Sequence, residues 1–467
     1  MLSKNNPSHA DRGLSPAQVT QLRDSISGRV ILPGDAEYDQ ARTPFYGGFD
    51  RRPSAIFRVV DASDISRVIS LARESGQELA VRGGGHSPAA QSISDGGLVI
   101  NLSQMRDLQI DPDACTAWAE AGLTAAEYTS AAEAHGLATG FGDTGSVGIG
   151  GITLAGGVGY LVRKYGLTID SLLGAEIVTA DGELLQADAE HNPDLFWAIR
   201  GGGGNFGVAT RFKFRLHRLG PVMGGLLILP ATSEVIAGFI AGAEAAPEQL
   251  STIANIMVAP PMPFLPKEVH GKLIVMAMLV HVGDAAAGEV ALRPFRQLAT
   301  PLADMLKPMR YSEVYPPEDP SYRPIAAART MFMDHIDRSV AETILDYLRK
   351  GRGSLAVAQL RVLGGAMARV PADATAFAHR TSHIMANVAT LYEQLETRPI
   401  HEAWASEFAE ELQQEDTGAY VGFLGEEGQE RVRAAYPPKT WERLAAIKAR
   451  YDPANLFRLN QNVPPAQ

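Results

Sequence analysis

Cysteine is nearly absent from this chain: Cys115 is the only one among 467 residues. A single thiol cannot close an internal disulfide, so no disulfide framework holds the fold. It stands in Cys115-Thr116-Ala117-Trp118-Ala119, a strand-like stretch, and reads as a buried inert thiol rather than a nucleophile. Basic residues are outnumbered: 42 Lys and Arg face 53 Asp and Glu, for a net charge of −11. That balance argues against a nucleic-acid backbone or an anionic membrane as partner. Long apolar runs are missing as well. No window approaches the ~18 apolar residues of a membrane span. The lead Met1-Leu2-Ser3-Lys4-Asn5-Asn6-Pro7 has no apolar run behind its lysine, so no secretory signal is read there. A soluble cytoplasmic protein with no metal site is the expectation.

What is present is an ordinary globular composition, 45% apolar and 20% charged, on a chain long enough for two domains. Glycine is abundant, at 46 residues, and it is clustered. After a polar lead, with a short helix near Ser15–Ser25, a β-α-β pattern begins. Ala55–Val60 reads as a strand. Asp61–Ser75 reads as a helix with Ile65, Val68, Ile69 and Leu71 on its apolar face. Leu79-Ala80-Val81 is the next strand and runs into Arg82-Gly83-Gly84-Gly85-His86-Ser87. Adjacent glycines allow a sharp turn and a close backbone approach. Free backbone N–H groups there suit phosphates, with His86 reaching a ring; a plain tight turn ending in a surface histidine fits the same residues. Gly97–Leu102 and Cys115–Ala121 read as strands, and Thr124–His135 as a helix.

The second cluster runs from Gly142 to Tyr160. Its Gly148–Gly159 part is too rich in glycine to be a good helix or strand on propensity and too apolar for a disordered linker. A third cluster follows Phe196-Trp197-Ala198-Ile199-Arg200 and contains G-x-G-x-x-G at Gly202, Gly204 and Gly207. A dinucleotide fingerprint of the Rossmann type needs a helix next. Val208–Leu216 alternates like a strand instead, so that reading fails.

Taken in order, these clusters resemble the FAD-linked oxidases of the vanillyl-alcohol oxidase superfamily, and within it the berberine-bridge-enzyme-like family. Further stretches carry the resemblance: Tyr165-Gly166-Leu167-Thr168-Ile169-Asp170, Thr179-Ala180-Asp181-Gly182, and the tail Tyr451-Asp452-Pro453-Ala454-Asn455-Leu456-Phe457-Arg458-Leu459-Asn460-Gln461-Asn462. The resemblance implies an α+β protein: a two-domain PCMH-type FAD-binding fold plus a substrate domain with an antiparallel sheet covered by helices. It implies that His86 is bonded covalently to the 8α-methyl of the flavin. Arg82, Gly83, Gly84, Gly85 and Ser87, with Thr144, Gly145, Ser146, Val147, Gly148, Gly150, Gly151, Gly156, Gly157 and Gly159, would wrap pyrophosphate and ring. Asn205, Gly207 and Val208 would lie toward the adenosine–ribityl side, and Asn460 and Asn462 near the ring. Many relatives link the flavin a second time through a cysteine; Thr144 holds that position here, so a single link through His86 is expected. Val147 matches a position where valine accompanies oxygen reactivity and leucine its suppression.

The second half changes character after Pro221. Gly225–Leu229 reads as a strand, Thr252–Val258 with Lys272–Val280 as an antiparallel pair, and Leu355–Val362 with Ser382–Ala389 as another. Helices fall at Asp284–Leu298, Ser339–Lys350 and His401–Glu411. One antiparallel sheet covered on one face follows, its other face meeting the flavin. Alternate residues would line the pocket: Gln359, Arg361 and His383 as substrate contacts, with Met385 and Asn387; plain sheet packing or solvent exposure fits each of them as well. The family's Tyr-x-Asn, placed on a strand leading back to the flavin domain, becomes Tyr420-Val421-Gly422. Tyr420 is the candidate base, with a structural tyrosine as the alternative, and the usual asparagine is gone. The expected division is 1–219 and 426–467 for FAD and 220–425 for substrate. The expected reaction is oxidation of an alcohol, amine or sugar-type small molecule, with O2 reduced to H2O2. The alternatives are a flavoprotein dehydrogenase, or a cyclase or rearrangement protein without net oxygen turnover.

Overall fold

The computed structural model describes residues 23–351 and 353–467. The helix expected near Ser15–Ser25 lies mostly outside them; residues 23–25 are helical.

Three sheets carry the architecture. The first holds β1 (Arg29–Ile31), β2 (Ala55–Arg58), β3 (Leu79–Arg82) and β4 (Leu98–Asn101) in the order β1-β2-β4-β3. Its last three strands run parallel. A crossover helix, α1 (Ala62–Ser75), joins β2 to β3, as parallel strands require. Asp61 caps α1 by accepting the Asp64 N–H, and Gly76 ends it in the left-handed region at φ 65°. Ile65, Val68, Ile69 and Ala72 are its buried face.

The second sheet is antiparallel. It holds β5 (Leu108–Asp111), β6 (Thr116–Glu120), β7 (Leu172–Val178), β8 (Leu184–Asp188) and β9 (Val208–Arg215), in the order β5-β6-β9-β7-β8. Helices α2 (Ala125–Glu133), α3 (Ile149–Ala155) and α4 (Pro193–Ile199) belong to this half. Two expectations need correction here. Residues 149–155 of the glycine run do form a helix. Buried Ile149 and Thr153 anchor it, and Gly150 lets it lie on the Ala121 carbonyl, which an added Cβ would reach at 3.1 Å. Packing overrides propensity. Cys115 lies not in the strand but in the turn before it, at φ 50°, half-buried with its thiol against the Pro112 carbonyl at 3.5 Å.

The third sheet is antiparallel throughout: β10 (Val222–Pro230), β11 (Leu250–Val258), β12 (Leu273–His281), β13 (Ile325–Met333), β14 (Leu355–Val362) and β15 (Ile384–Tyr392), in the order β10-β12-β11-β14-β15-β13. Short strands Ala303–Asp304 and Lys307–Met309 pair along β10. Strand alternation splits its two faces. Ala254, Ile256, Ala358, Leu360, Ala386 and Val388 pack against the helices α5 (Ser233–Ala245), α6 (Ala285–Arg296), α7 (Arg338–Arg349) and α8 (Arg398–Leu412). Ile253, Val280, Phe332 and Met385 point the other way and join the core of the first two sheets. Helix α5 has no counterpart in the sequence reading: apolar residues surround it, so no single stripe stands out.

The chain then returns. Helix α9 (Pro438–Tyr451) packs beside α4 and is pinned by a buried ion pair. Lys448 Nζ reaches Asp452 at 2.6 Å and the carbonyls of Asn205 and Phe457 at 2.7 and 2.9 Å. Asp452 also accepts the N–H groups of Leu456 and Phe457. Replacing Lys448 with Met should strand that carboxylate and cost about 3–5 kcal/mol. Denaturant unfolding would show it as a lowered midpoint; an unchanged midpoint would mean that the pin contributes nothing.

Candidate active site

The glycine clusters converge. β3 ends in the Gly83–Gly85 turn, and the Gly142–Gly151 loop lies directly on it. A Cβ on Gly84 would stand 2.3 Å from the Gly148 nitrogen, and one on Gly148 would stand 2.3 Å from the Gly84 nitrogen. Neither position tolerates a side chain. Gly85 completes the turn at φ 77°.

Between this pair and the third sheet lies a cleft of about 520 Å³. It is lined by Gly83, Gly84, Gly85, His86, Ser87, Thr144, Val147, Gly148 and Gly151 on one side and by Gln359, Arg361, Asn387 and Tyr420 on the other. A second cavity of about 140 Å³ continues it under β3, past Gly150, Gly207, Val208 and Phe457. Val81, Gly83, Gly151, Gly204, Leu459 and Asn460 line both. The two cavities are continuous along these shared residues. Their floor is backbone: a Cβ on Gly151 would meet nothing within 4 Å and would project into open space. The buried Oδ1 of Asn460, without a partner among the described residues, is a spare acceptor beside it. A larger groove of about 1280 Å³ runs between α5, α6 and residues 218–223. It shares no residue with the glycine-lined cleft and has mainly Ala, Pro, Val and Gly walls, so the chemistry belongs to the smaller cleft.

His86 stands at the cleft with its ring stacked on Phe45, 4.1 Å between centroids and 20° between planes. Its Nε2 is 3.0 Å from Ser146 Oγ. Ser146 in turn is bonded twice by Glu318: the backbone N–H donates to Oε1 at 2.9 Å and the hydroxyl donates to Oε2. Burial pulls the His86 pKa down to about 4, so the imidazole is neutral at physiological pH.

On the opposite wall, β14 presents Gln359 and Arg361 two residues apart, on one face. Gln359 Nε2 donates to Asn255 Oδ1 at 3.0 Å. Arg361 is buried, donates to Asp143 Oδ2 at 2.5 Å and lies 4.7 Å over the Phe423 ring. Tyr420 is not on a strand: it precedes a short 3-10 turn, Val421–Phe423. Its hydroxyl accepts the Gly157 N–H at 3.0 Å, and burial pushes its pKa up to about 12, with Gly157 and Arg361 pulling the other way. A Cβ on Gly422 would stand 2.8–3.0 Å from the Tyr420 ring and hydroxyl. The ring occupies the space in which an asparagine at 422 would begin.

Several expected residues sit elsewhere. His383 lies outside the cleft: its side chain is 64% exposed and faces Glu244 at 3.7 Å, because it precedes β15 and falls on the solvent side. Met385 points away into the core. Arg82 folds under the turn and donates to the carbonyls of Ala41 and Thr43. Asn205 is fully buried and ties Gly202 to Gln461 and Val463. Asn462 does not line the cleft. Gly145 packs on Tyr315, Gly156 on Phe377 and Gly159 on the Phe141 carbonyl, so these glycines serve close packing. Phe45 and Asp143 line the cleft and the exposed Glu318 bonds Ser146 beside it, none of the three being among the residues expected there. Only Asp143, inside a glycine loop, carries any local signal.

A cleft with glycine backbone and His86 on one wall and a polar sheet face opposite points to a class: an α+β protein that binds FAD. Residues 53–188 match the family model of an FAD binding domain, and residues 419–464 match that described as berberine and berberine like. The (R)-6-hydroxynicotine oxidase of Paenarthrobacter nicotinovorans is 30% identical over 469 residues, covering 94% of this chain and 97% of that protein. Xylooligosaccharide oxidase of Thermothelomyces thermophilus is 26% identical, covering 98% and 96%. The crystal structure of 6-hydroxy-D-nicotine oxidase from Arthrobacter nicotinovorans aligns with a TM-score of 0.84 at 26% identity, covering 95% of this chain and 99% of that one. The chain belongs to the berberine-bridge-enzyme-like family of FAD-linked enzymes, and it is an FAD-dependent oxidoreductase. No helix among the described residues is long and apolar enough to cross a membrane.

The fit of Tyr420 over Gly422 generates a stability test. Gly422→Ala should overpack the site and cost about 1–3 kcal/mol, seen as a Tm lower by a few degrees. An unchanged Tm would show that the ring rests elsewhere in solution.

Proposed function

We propose that this chain oxidises a small alcohol, amine or sugar-type substrate at the polar sheet face, with FAD tethered through His86 alone and O2 as the electron acceptor. The observation that carries this is the cleft itself, with glycine backbone on one wall and Gln359, Arg361, Asn387 and Tyr420 on the other. Residues 1–219 and 426–467 are taken as the flavin-holding part, and 220–425 as the substrate part. The single tether is supported by Thr144 at the cleft, while the lone thiol of Cys115 points to Pro112.

Bound FAD supplies the two-electron acceptor for a substrate hydride. The chain orients the substrate and removes its O–H or N–H proton. Tyr420 is the proposed acceptor. The hydrogen bond that the family asparagine would give is replaced by the Gly157 N–H, and the Arg361 guanidinium adds positive charge. A tyrosine with a pKa near 12 is protonated at neutral pH. Its phenolate fraction grows tenfold per pH unit below that value, so flavin reduction should quicken as pH rises. A second reading rests on Asp143, a carboxylate in the same cleft held by Arg361 at 2.5 Å.

The test is anaerobic mixing with alcohols, sugars and amines, 6-hydroxynicotine and xylooligosaccharides among them. Loss of the oxidised flavin band reports reduction, and one H2O2 per substrate on admitting air reports oxidase turnover. Reduction without H2O2 would make the protein a dehydrogenase. Tyr420→Phe should slow reduction at least ~100-fold. A near-normal rate, with the loss appearing in Asp143→Asn, would move the role to Asp143. Val147 lines the cleft where O2 would approach. Val147→Leu should slow reoxidation while leaving reduction nearly intact; equal reoxidation rates would remove Val147 from the oxygen path.

A further inference from the structure

Three side chains from distant parts of the chain are hydrogen-bonded in succession, from His86 at the cleft through Ser146 to the exposed Glu318. His86 follows β3, Ser146 lies in the second glycine loop, and Glu318 lies in the segment leading to β13. His86 Nε2 meets Ser146 Oγ at 3.0 Å, and Ser146 gives both its N–H and its hydroxyl to the two Glu318 oxygens. The close approach is built in: a Cβ on Gly145 would stand 3.4 Å from Glu318 Oε1 and 3.3 Å from Tyr315 Cβ.

The hydrogen bonds favour one arrangement of protons. An ionised carboxylate only accepts, and a serine hydroxyl has one proton. With that proton directed at Glu318, Ser146 Oγ can only accept from His86. A neutral imidazole carries a single N–H, so it sits on Nε2 and leaves the Nδ1 lone pair bare. Phe45 fixes the ring plane.

From this we infer that Glu318 and Ser146 are positioning residues for the covalent tether: they hold His86 in its Nε2–H tautomer and take the Nε2 proton as Nδ1 forms its bond. The inference rests on the single-tether reading above. Bond formation joins Nδ1 to the carbon of the flavin's ring methyl. That carbon gives up one proton and Nε2 another, and the electron pair passes through the flavin to O2, yielding H2O2. The Nε2 proton moves to Ser146, whose own proton moves to Glu318. Glu318 comes from the segment between β10's short partner strands and β13, while His86 and Ser146 come from the glycine loops. Attachment therefore requires both halves to be docked.

The full-length protein, purified and incubated with excess FAD at neutral pH, gives the test. Acid precipitation and flavin fluorescence of the denatured polypeptide report covalent flavin over time; native absorbance reports total bound flavin. Ser146→Ala and Glu318→Gln should bind FAD yet attach it at least ~10-fold more slowly than wild type. Ser146→Thr, which keeps the hydroxyl, should restore attachment. Wild-type attachment rates in both Ser146→Ala and Glu318→Gln, with His86→Ala releasing all flavin, would overturn the relay and leave the tether standing. Release of all flavin from wild type itself would overturn the tether and the relay with it.

Discussion

Everything at the cleft depends on one contact between backbones. Gly84 and Gly148 approach so closely that a methyl group on either would strike the other's amide nitrogen at 2.3 Å. That contact sets the two glycine loops edge to edge. It puts His86 and Ser146, each two residues from the contact, within hydrogen-bond reach at 3.0 Å. It also leaves a floor of backbone on which a large anionic ligand can lie. A side chain at either glycine would force the loops apart.

The third sheet supplies the other wall by strict alternation. Ala358 and Leu360 on β14 face the helices, while Gln359 and Arg361 face the cleft. A slip of one residue in register would exchange these sets and bury a guanidinium among leucines. The pairing of β14 with β11 and β15, Gln359 opposite both Asn255 and Asn387, therefore fixes the chemistry of the wall as well as its stability. The charge of Arg361 is met by Asp143 from the opposite glycine loop, so the two walls are joined by an ion pair at the site itself. Arg380 and Asp170 make a second, buried connection between the halves at 2.8 Å.

The periodic elements are legible in the sequence because local pattern is strong in them. Helix α1, the β11–β12 and β14–β15 pairs, and helices α6, α7 and α8 all stand within a few residues of where apolar spacing puts them. The helicity of residues 149–155 is not legible, since that helix exists only against Ala121 and its neighbours. Nor is the direction of His383, one residue before β15, where the end of the strand separates cleft from solvent. Tyr420 is legible as a residue but not as a geometry: its ring lies over Gly422 and its hydroxyl on Gly157, 263 residues away in sequence.

By itself the sequence determined the family, the flavin, the order of glycine clusters and the presence of a single cysteine. These depend on residue type at short spacing, and backbone freedom at glycine is a local property. The tertiary structure decided which glycines face the cleft and which merely pack, that Arg361 is held by Asp143, and that Glu318 stands behind Ser146. Such contacts join residues tens to hundreds of positions apart, and no local pattern encodes which of many polar side chains will meet once the sheets have closed.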